Sequence, residues 1–202
     1  QGFIGWYMVS SGLVNRVDVS HFRLSIHLVV AFIIISLILW NYFHLRINRN
    51  IDGKIKFFIP FIFLFLIFLQ IIIGAFVSGM DAGQIYNSWP LMGSSYFPDD
   101  NEVVNILKIS AFSDPSLVQF MHRNLAYFIL IFYLFILIKI YQIKLVKLYF
   151  AINLVGLLLF IQIILGILTL LYGAQIFIAS MHQISSIFLV SSSVYFLYLN
   201  SN

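Results

Sequence analysis

The chain reads as an all-α protein, a polytopic membrane helix bundle, and three observations predict it. Of its 202 residues 62% are apolar and 9% charged, whereas a soluble domain carries about 25% charged residues. The apolar residues gather into five runs of about 20 residues or more with few charges, long enough to cross a bilayer. None of these runs alternates with a period of two, as barrel strands do, so helices are the remaining way to span.

The elements follow in order. Residues 1–13 are apolar but shorter than a span; because the sequence opens on Gln1 rather than Met, a chain cut at its N-terminus is expected, with no signal peptide to read. The five full runs are 22–44, 57–79, 116–141, 148–171 and 176–199. With the first stub they predict six membrane helices and one long loop, 80–115. Lys and Arg set the orientation. Arg46, Arg49, Lys54 and Lys56 mark the link 45–56 as cytoplasmic, as do Lys139, Lys144 and Lys147 the next one. The remaining loops, with Asp18, Asp81, Asp99, Asp100, Glu102 and Asp114, then lie outside, and residues 200–202 inside. The net charge of +4 therefore follows membrane topology. No cluster of basic residues interleaved with aromatics suggests nucleic acid. The lack of Cys excludes disulfides and Cys-ligated zinc or iron–sulfur sites.

A repeat runs through the helices: Gln-x-x-x-Gly occurs as Gln1/Gly5, Gln70/Gly74 and Gln162/Gly166, each on a helix followed, after an outer loop, by a helix bearing a His. Two such helix pairs make a four-helix unit. Residues 57–199 then form one complete unit, and residues 1–44 supply the last two helices of a pseudo-symmetric second one. The simpler reading is that Gln and Gly on one helix face permit close packing and an interhelical hydrogen bond.

Ionisable groups inside a bilayer are costly unless used. His27, His122 and His182 lie five or six residues inside their runs, at one depth of some 8–9 Å at about 1.5 Å per residue. A common depth on separate helices suits a haem held between imidazoles in a Phe- and Leu-rich interior. His122 and His182 make the natural pair, and His27 belongs to the incomplete unit. Arg23 lies on the face of His27 one turn nearer the outside, where propionates would emerge, or else snorkels to the interface. Arg123 is assigned the same role beside His122, with a poorer fit at about 100° round the helix. The adjacent pairs Met121–His122 and Met181–His182 cannot each face one iron, which favours two imidazoles; copper on these Met and His residues is the weaker option. His21 and His44 read as solvated link residues. In the outer loop, Tyr86, Trp89, Tyr96 and Phe97 among turn residues suggest a lid folded over a membrane-embedded site, or an interfacial aromatic belt.

Several blocks resemble the haem A synthase family: Gln1 to Gly12, Arg23 to His27, Gly74 through Asp81 and Asn87 to Met92, Gln119 to Tyr127, Gln162 to Thr169, and His182-Gln183. The segment from Asp81 to Met92 is the most specific. The resemblance implies two similar four-helix halves in a bacterial or mitochondrial inner membrane. It implies haem b on His122 and His182 of the C-terminal half, and haem O as substrate near His27. It further implies oxidation of a methyl group of haem O to the formyl group of haem A for cytochrome oxidase assembly, an outer-side or membrane electron donor, and haem O synthase as a partner. A catalytic Glu belongs, on this resemblance, before Gln1. A non-enzymatic b-type cytochrome is the alternative. A transporter would want interrupted helices and a polar midplane site.

Overall fold

A computed structural model describes residues 1–10, 19–47 and 54–201. It contains six α-helices: α1 (Gly2–Ser10), α2 (His21–Arg46), α3 (Phe58–Gly79), α4 (Pro115–Gln142), α5 (Val146–Leu171) and α6 (Ile176–Asn200). Among the described residues there is no strand, only an isolated bridge between Met92 and Ser95. The helices α2 to α6 are each long and apolar enough to cross a membrane. Each of the five expected runs matches one of them within two residues at either end. Gly12, Asp18, Arg49 and Asn202, which entered the motif and charge arguments, lie outside the described residues.

The helix ends have local causes. Asp114 caps α4 by accepting from the Leu117 N–H at 3.0 Å, and Pro115 opens that helix where its missing N–H is not needed. The α5–α6 turn puts Gly173 and Ala174 in the left-handed region, and the Ala174 N–H closes back on the Thr169 carbonyl at 2.8 Å.

Packing runs round a ring. The helix α3 packs on α4, α4 on α5, α5 on α6 and α6 on α3, so that α4 and α6 face each other across the diagonal. Outside the ring, α2 wedges against α3 and α6, and α1 packs on α2. The tightly packed core fills the half of the ring where Lys139, Lys144 and Lys147 lie. It comprises Tyr133, Ile136 and Ile140 of α4, Leu148, Ile152 and Val155 of α5, and Val190, Val194 and Phe196 of α6. Towards the other end, α5 beyond Leu159 and α6 before Leu189 have no fully buried residue. The large apolar side chains on the outer faces, such as Phe150 and Phe160, are exposed, as lipid-facing residues are.

The Lys-bearing end is closed by one side chain. Asn200 is wholly buried, accepts from the Ile55 N–H at 3.0 Å and donates to the Ile55 carbonyl at 3.0 Å. It thereby joins the α2–α3 link to the end of α6, beside Trp40, Phe43, Tyr195 and Tyr198 in mutual ring contact. Replacing Asn200 with Ala leaves a buried N–H and a buried C=O without partners, at about 1–3 kcal/mol each. A lower thermal midpoint in detergent is the expected outcome; an unchanged midpoint would show that water or lipid headgroups take over both bonds.

Candidate functional site

The three histidines sit in three copies of one arrangement. In each, a Gln on the preceding helix, or for Gln1 just before its first residue, donates its side-chain N–H to the backbone carbonyl of the His at 3.0 Å: Gln1 to His27, Gln70 to His122 and Gln162 to His182. The same amide nitrogen lies 3.3, 3.2 and 3.5 Å from the His Nε2. One turn further along the Gln helix, a Gly faces the ring. A Cβ on Gly5, Gly74 or Gly166 would stand 3.1, 3.0 or 3.1 Å from the Cε1 of its histidine. These glycines are slots, and the spacing of four residues puts slot and amide on one helix face. The repeated Gln-x-x-x-Gly is thus the receptor for the His of the next helix.

The histidines begin at nearly equal positions, six, seven and six residues from the first residues of α2, α4 and α6. All three keep a buried Nδ1 without a protein partner. His122 and His182 project from the diagonally opposed α4 and α6, within electrostatic reach of each other, in the part of the ring where α5 and α6 leave no residue fully buried. Among the described residues no three His, Cys, Asp or Glu side chains converge as metal ligands. Each imidazole stands on its own helix with its own Gln.

The arginines are engaged by protein groups. Arg23 lies over the Tyr7 ring, 4.3 Å from its centroid, and reaches the Tyr7 carbonyl at 3.4 Å. Arg123 turns to the outer loop. Its Nη1 donates to the carbonyls of Ser88 at 2.9 Å and Leu91 at 3.3 Å, and its Nη2 to that of Tyr86 at 2.9 Å, while its Nε is buried without a partner. Gln119, one turn earlier, donates to the same Tyr86 carbonyl at 3.1 Å.

The loop is therefore docked on the helices. It forms 3-10 turns at Ala82–Gln84, Val103–Leu107 and Ile109–Ser113. Asn87 donates to the Leu170 carbonyl of α5 at 2.9 Å, Trp89 Nε1 to the Tyr127 hydroxyl at 2.9 Å, and the Tyr96 hydroxyl to Asn124 Oδ1 at 2.6 Å. Met92 and Ala82, both of the loop, are buried. Two carboxylates brace its interior. Asp99 accepts from the Ser94 N–H and from the Ser94 and Ser95 hydroxyls, which hold its carboxyl below the usual range. Partial burial opposes ionisation of Asp100, but hydrogen bonds from Ser116 and Tyr86 prevail and lower its pKa too. Burial, then the bond to Asp100, pushes the Tyr86 phenol up. Gly93, at φ +79°, allows this close fold, since a Cβ there would meet Asp99 Oδ2 at 2.6 Å.

One expectation is corrected. His21 is not a solvated link residue: it opens α2, packs its ring against Phe22 and Phe76, and buries an Nε2 without a partner. Gly79, at the end of α3, lets α2 start this close, since a Cβ there would meet the His21 Cα at 2.9 Å. His44 lies exposed in the last turn of α2. Sequence reading missed Asn87, Gln119, Asn124 and Tyr127 as loop anchors. The spacing of Gln119 and Arg123, four residues apart on one face, was the available signal.

Apolar spanning helices, with histidines set into amide and glycine receptors near one end, define a multi-pass integral membrane protein with a repeated site. The family model COX15-CtaA, described as cytochrome oxidase assembly protein, matches residues 1–194, and the chain belongs to that family. It is 47% identical over 202 residues to the heme A synthase of Pelagibacter ubique strain HTCC1062, covering 100% of this chain and 60% of that one. It is 41% identical over 201 residues to that of Rickettsia bellii strain OSU 85-389, with 95% and 58% covered. It is 42% identical over 202 residues to that of Wolbachia pipientis wMel, with 98% and 56% covered. The chain spans about 60% of the length of these curated relatives. The five spans make it an integral multi-pass membrane protein. No solved structure matches it.

Proposed function

We propose that this chain is the haem-binding part of a haem A synthase-like oxidoreductase that converts a methyl group of haem O to the formyl group of haem A for cytochrome oxidase assembly. Residues 57–199 act as the cofactor unit, with haem b on His122 and His182, while residues 1–44 contribute His27 and Arg23 to the side that takes haem O. The observation that carries the reading is the pairing of His122 and His182 on opposed helices, where the close-packed core stops.

The residues present fit a haem. Imidazole nitrogens are usual axial donors to haem iron, and each of these rings keeps one buried nitrogen that no protein group engages. A polar atom buried unpaired costs about 1–3 kcal/mol, and the same atom recurs in this state at all three sites. The Gly slots fix where each ring lies, and the Leu- and Ile-rich walls of α5 and α6 suit a porphyrin body. Bound there, haem b supplies reversible one-electron transfer. The protein's part is to hold the imidazoles, to exclude water with the docked loop, and to place Arg23 near the outer end of the His27 helix for a propionate of the substrate. An outer-side or membrane electron donor supplies electrons, and haem O synthase supplies the substrate.

The test is the pigment. The intact gene is expressed in cells that make haem O but lack an enzyme of this kind. Haem A in the acid–acetone extract is the expected result; extracts holding haem O and haem b alone would leave an electron-transferring cytochrome.

A further inference from the structure

The second half of the outer loop has one polar side and one apolar side. On the polar side the side chains bond in series. Lys108 Nζ donates to Asn105 Oδ1 at 2.8 Å, Asn105 Nδ2 to Asn101 Oδ1 at 3.4 Å, and Asn101 Nδ2 to the Asp114 carboxylate oxygens at 3.4 and 3.3 Å. Asp114 caps α4, so the series ties this segment to the helix start, at the outer boundary of the bilayer. On the other side Val103, Val104, Leu107 and Ile109 are exposed. Leu107 and Ile109, at 85% and 90%, are more exposed than any other large apolar side chain among the described residues, the lipid-facing Phe150 and Phe160 at 70% and 63% included. Apolar side chains gathered in this way mark a surface that something covers.

The neighbouring contacts favour lipid as the cover. Phe112, in the same segment, meets the ring of Phe76 of α3 at 6.3 Å between centroids, and Phe76 meets Phe22 of α2 at 5.1 Å. Phe22 is itself exposed on its span, so the apolar side of the loop continues the surface that the helices turn to lipid. The backbone here forms the short 3-10 turns Val103–Leu107 and Ile109–Ser113. Irregular backbone is not tolerated against lipid in the hydrocarbon region, which restricts the segment to headgroup level. Glu102 and Lys108, its two charges, can stay among headgroups while the apolar side chains point inward.

We propose that residues 103–112 are an interfacial anchor that sets Val103, Val104, Leu107 and Ile109 into the outer leaflet. The loop then has two attachments. Asn87, Trp89 and Tyr96 hold its first half to the helices, and the anchor holds its second half to the membrane. The inference goes beyond the haem reading and does not depend on it.

The chain has no Cys, so Leu107→Cys and Ile109→Cys each introduce a single thiol for a nitroxide label. Phe65→Cys, exposed on the α3 span, serves as the lipid reference, and Lys54→Cys, exposed in the link before α3, as the water reference. Each labelled protein is reconstituted in vesicles of phosphatidylethanolamine and phosphatidylglycerol. EPR power saturation then compares collisions with oxygen, which concentrates in lipid, and with a nickel chelate, which stays in water. The logarithm of the oxygen-to-nickel ratio is expected to be positive at positions 107 and 109, below its value at 65, and negative at 54. Negative values at 107 and 109 overturn the anchor. Labels that neither reagent reaches overturn it as well, because a second copy or a partner protein then covers the patch. If either variant fails to accumulate, Val103→Cys and Val104→Cys give the same readout from the same surface.

Discussion

His122→Ala and His182→Ala are each expected to abolish the low-spin haem spectrum of the intact protein and to cut its tightly bound haem by more than about tenfold. Changes in groups that merely support a metal ligand already cost about 10–100-fold, and removing a ligand leaves one axial position to water or nothing. The two residues stand on α4 and α6, the diagonal pair of the ring, so neither helix can replace the donor of the other. His27→Ala belongs to a different outcome. Its helix α2 packs outside the ring on α3 and α6, so the His122/His182 spectrum is expected to persist while retention of haem O falls. The measurement is the reduced-minus-oxidised spectrum with the pyridine haemochrome ratio for each variant. A wild-type spectrum in His122→Ala would remove the physical basis of the oxidoreductase reading, whatever the family.

How much of this was legible in the sequence depends on the range of the interaction. The spans were read correctly because a bilayer imposes one length and one polarity on every helix, and each run from α2 to α6 obeys both. The repeat of Gln1, Gln70 and Gln162 with the Gly four residues on was visible too, as was the possibility of an interhelical hydrogen bond. Its acceptor was not visible. Gln70 and His122 are 52 residues apart, and only the packed helices show that amide, slot and imidazole form one unit. The loop was less legible still. Its aromatics suggested a fold back over the helices, but its path is held by side chains such as Asp99 and Asn87 binding backbone groups, which periodicity does not record. His21 was misjudged for the same reason: its environment is made by Gly79 and Phe76 of another helix.

Arg123→Met is expected to release the outer loop while leaving haem on His122 and His182. The guanidinium serves three loop carbonyls, those of Tyr86, Ser88 and Leu91, from one planar fork. Hydrogen bonds from a charged donor contribute about 1.5–3 kcal/mol each; Gln119 continues to serve the Tyr86 carbonyl, so a net loss on the order of 3 kcal/mol of loop docking is expected. That corresponds to roughly a hundredfold rise in the open population, readable as faster proteolysis within residues 80–115 from the outer side. Arg123→Lys is expected to behave almost as Met does, because a single ammonium cannot span carbonyls on three residues. A propionate-binding Arg123 gives the opposite pattern, with haem lost, loop cleavage unchanged and partial rescue by Lys, whose charge alone suffices for an anion. The two patterns share no outcome, so one pair of variants decides whether Arg123 acts on the cofactor or on the loop that covers it.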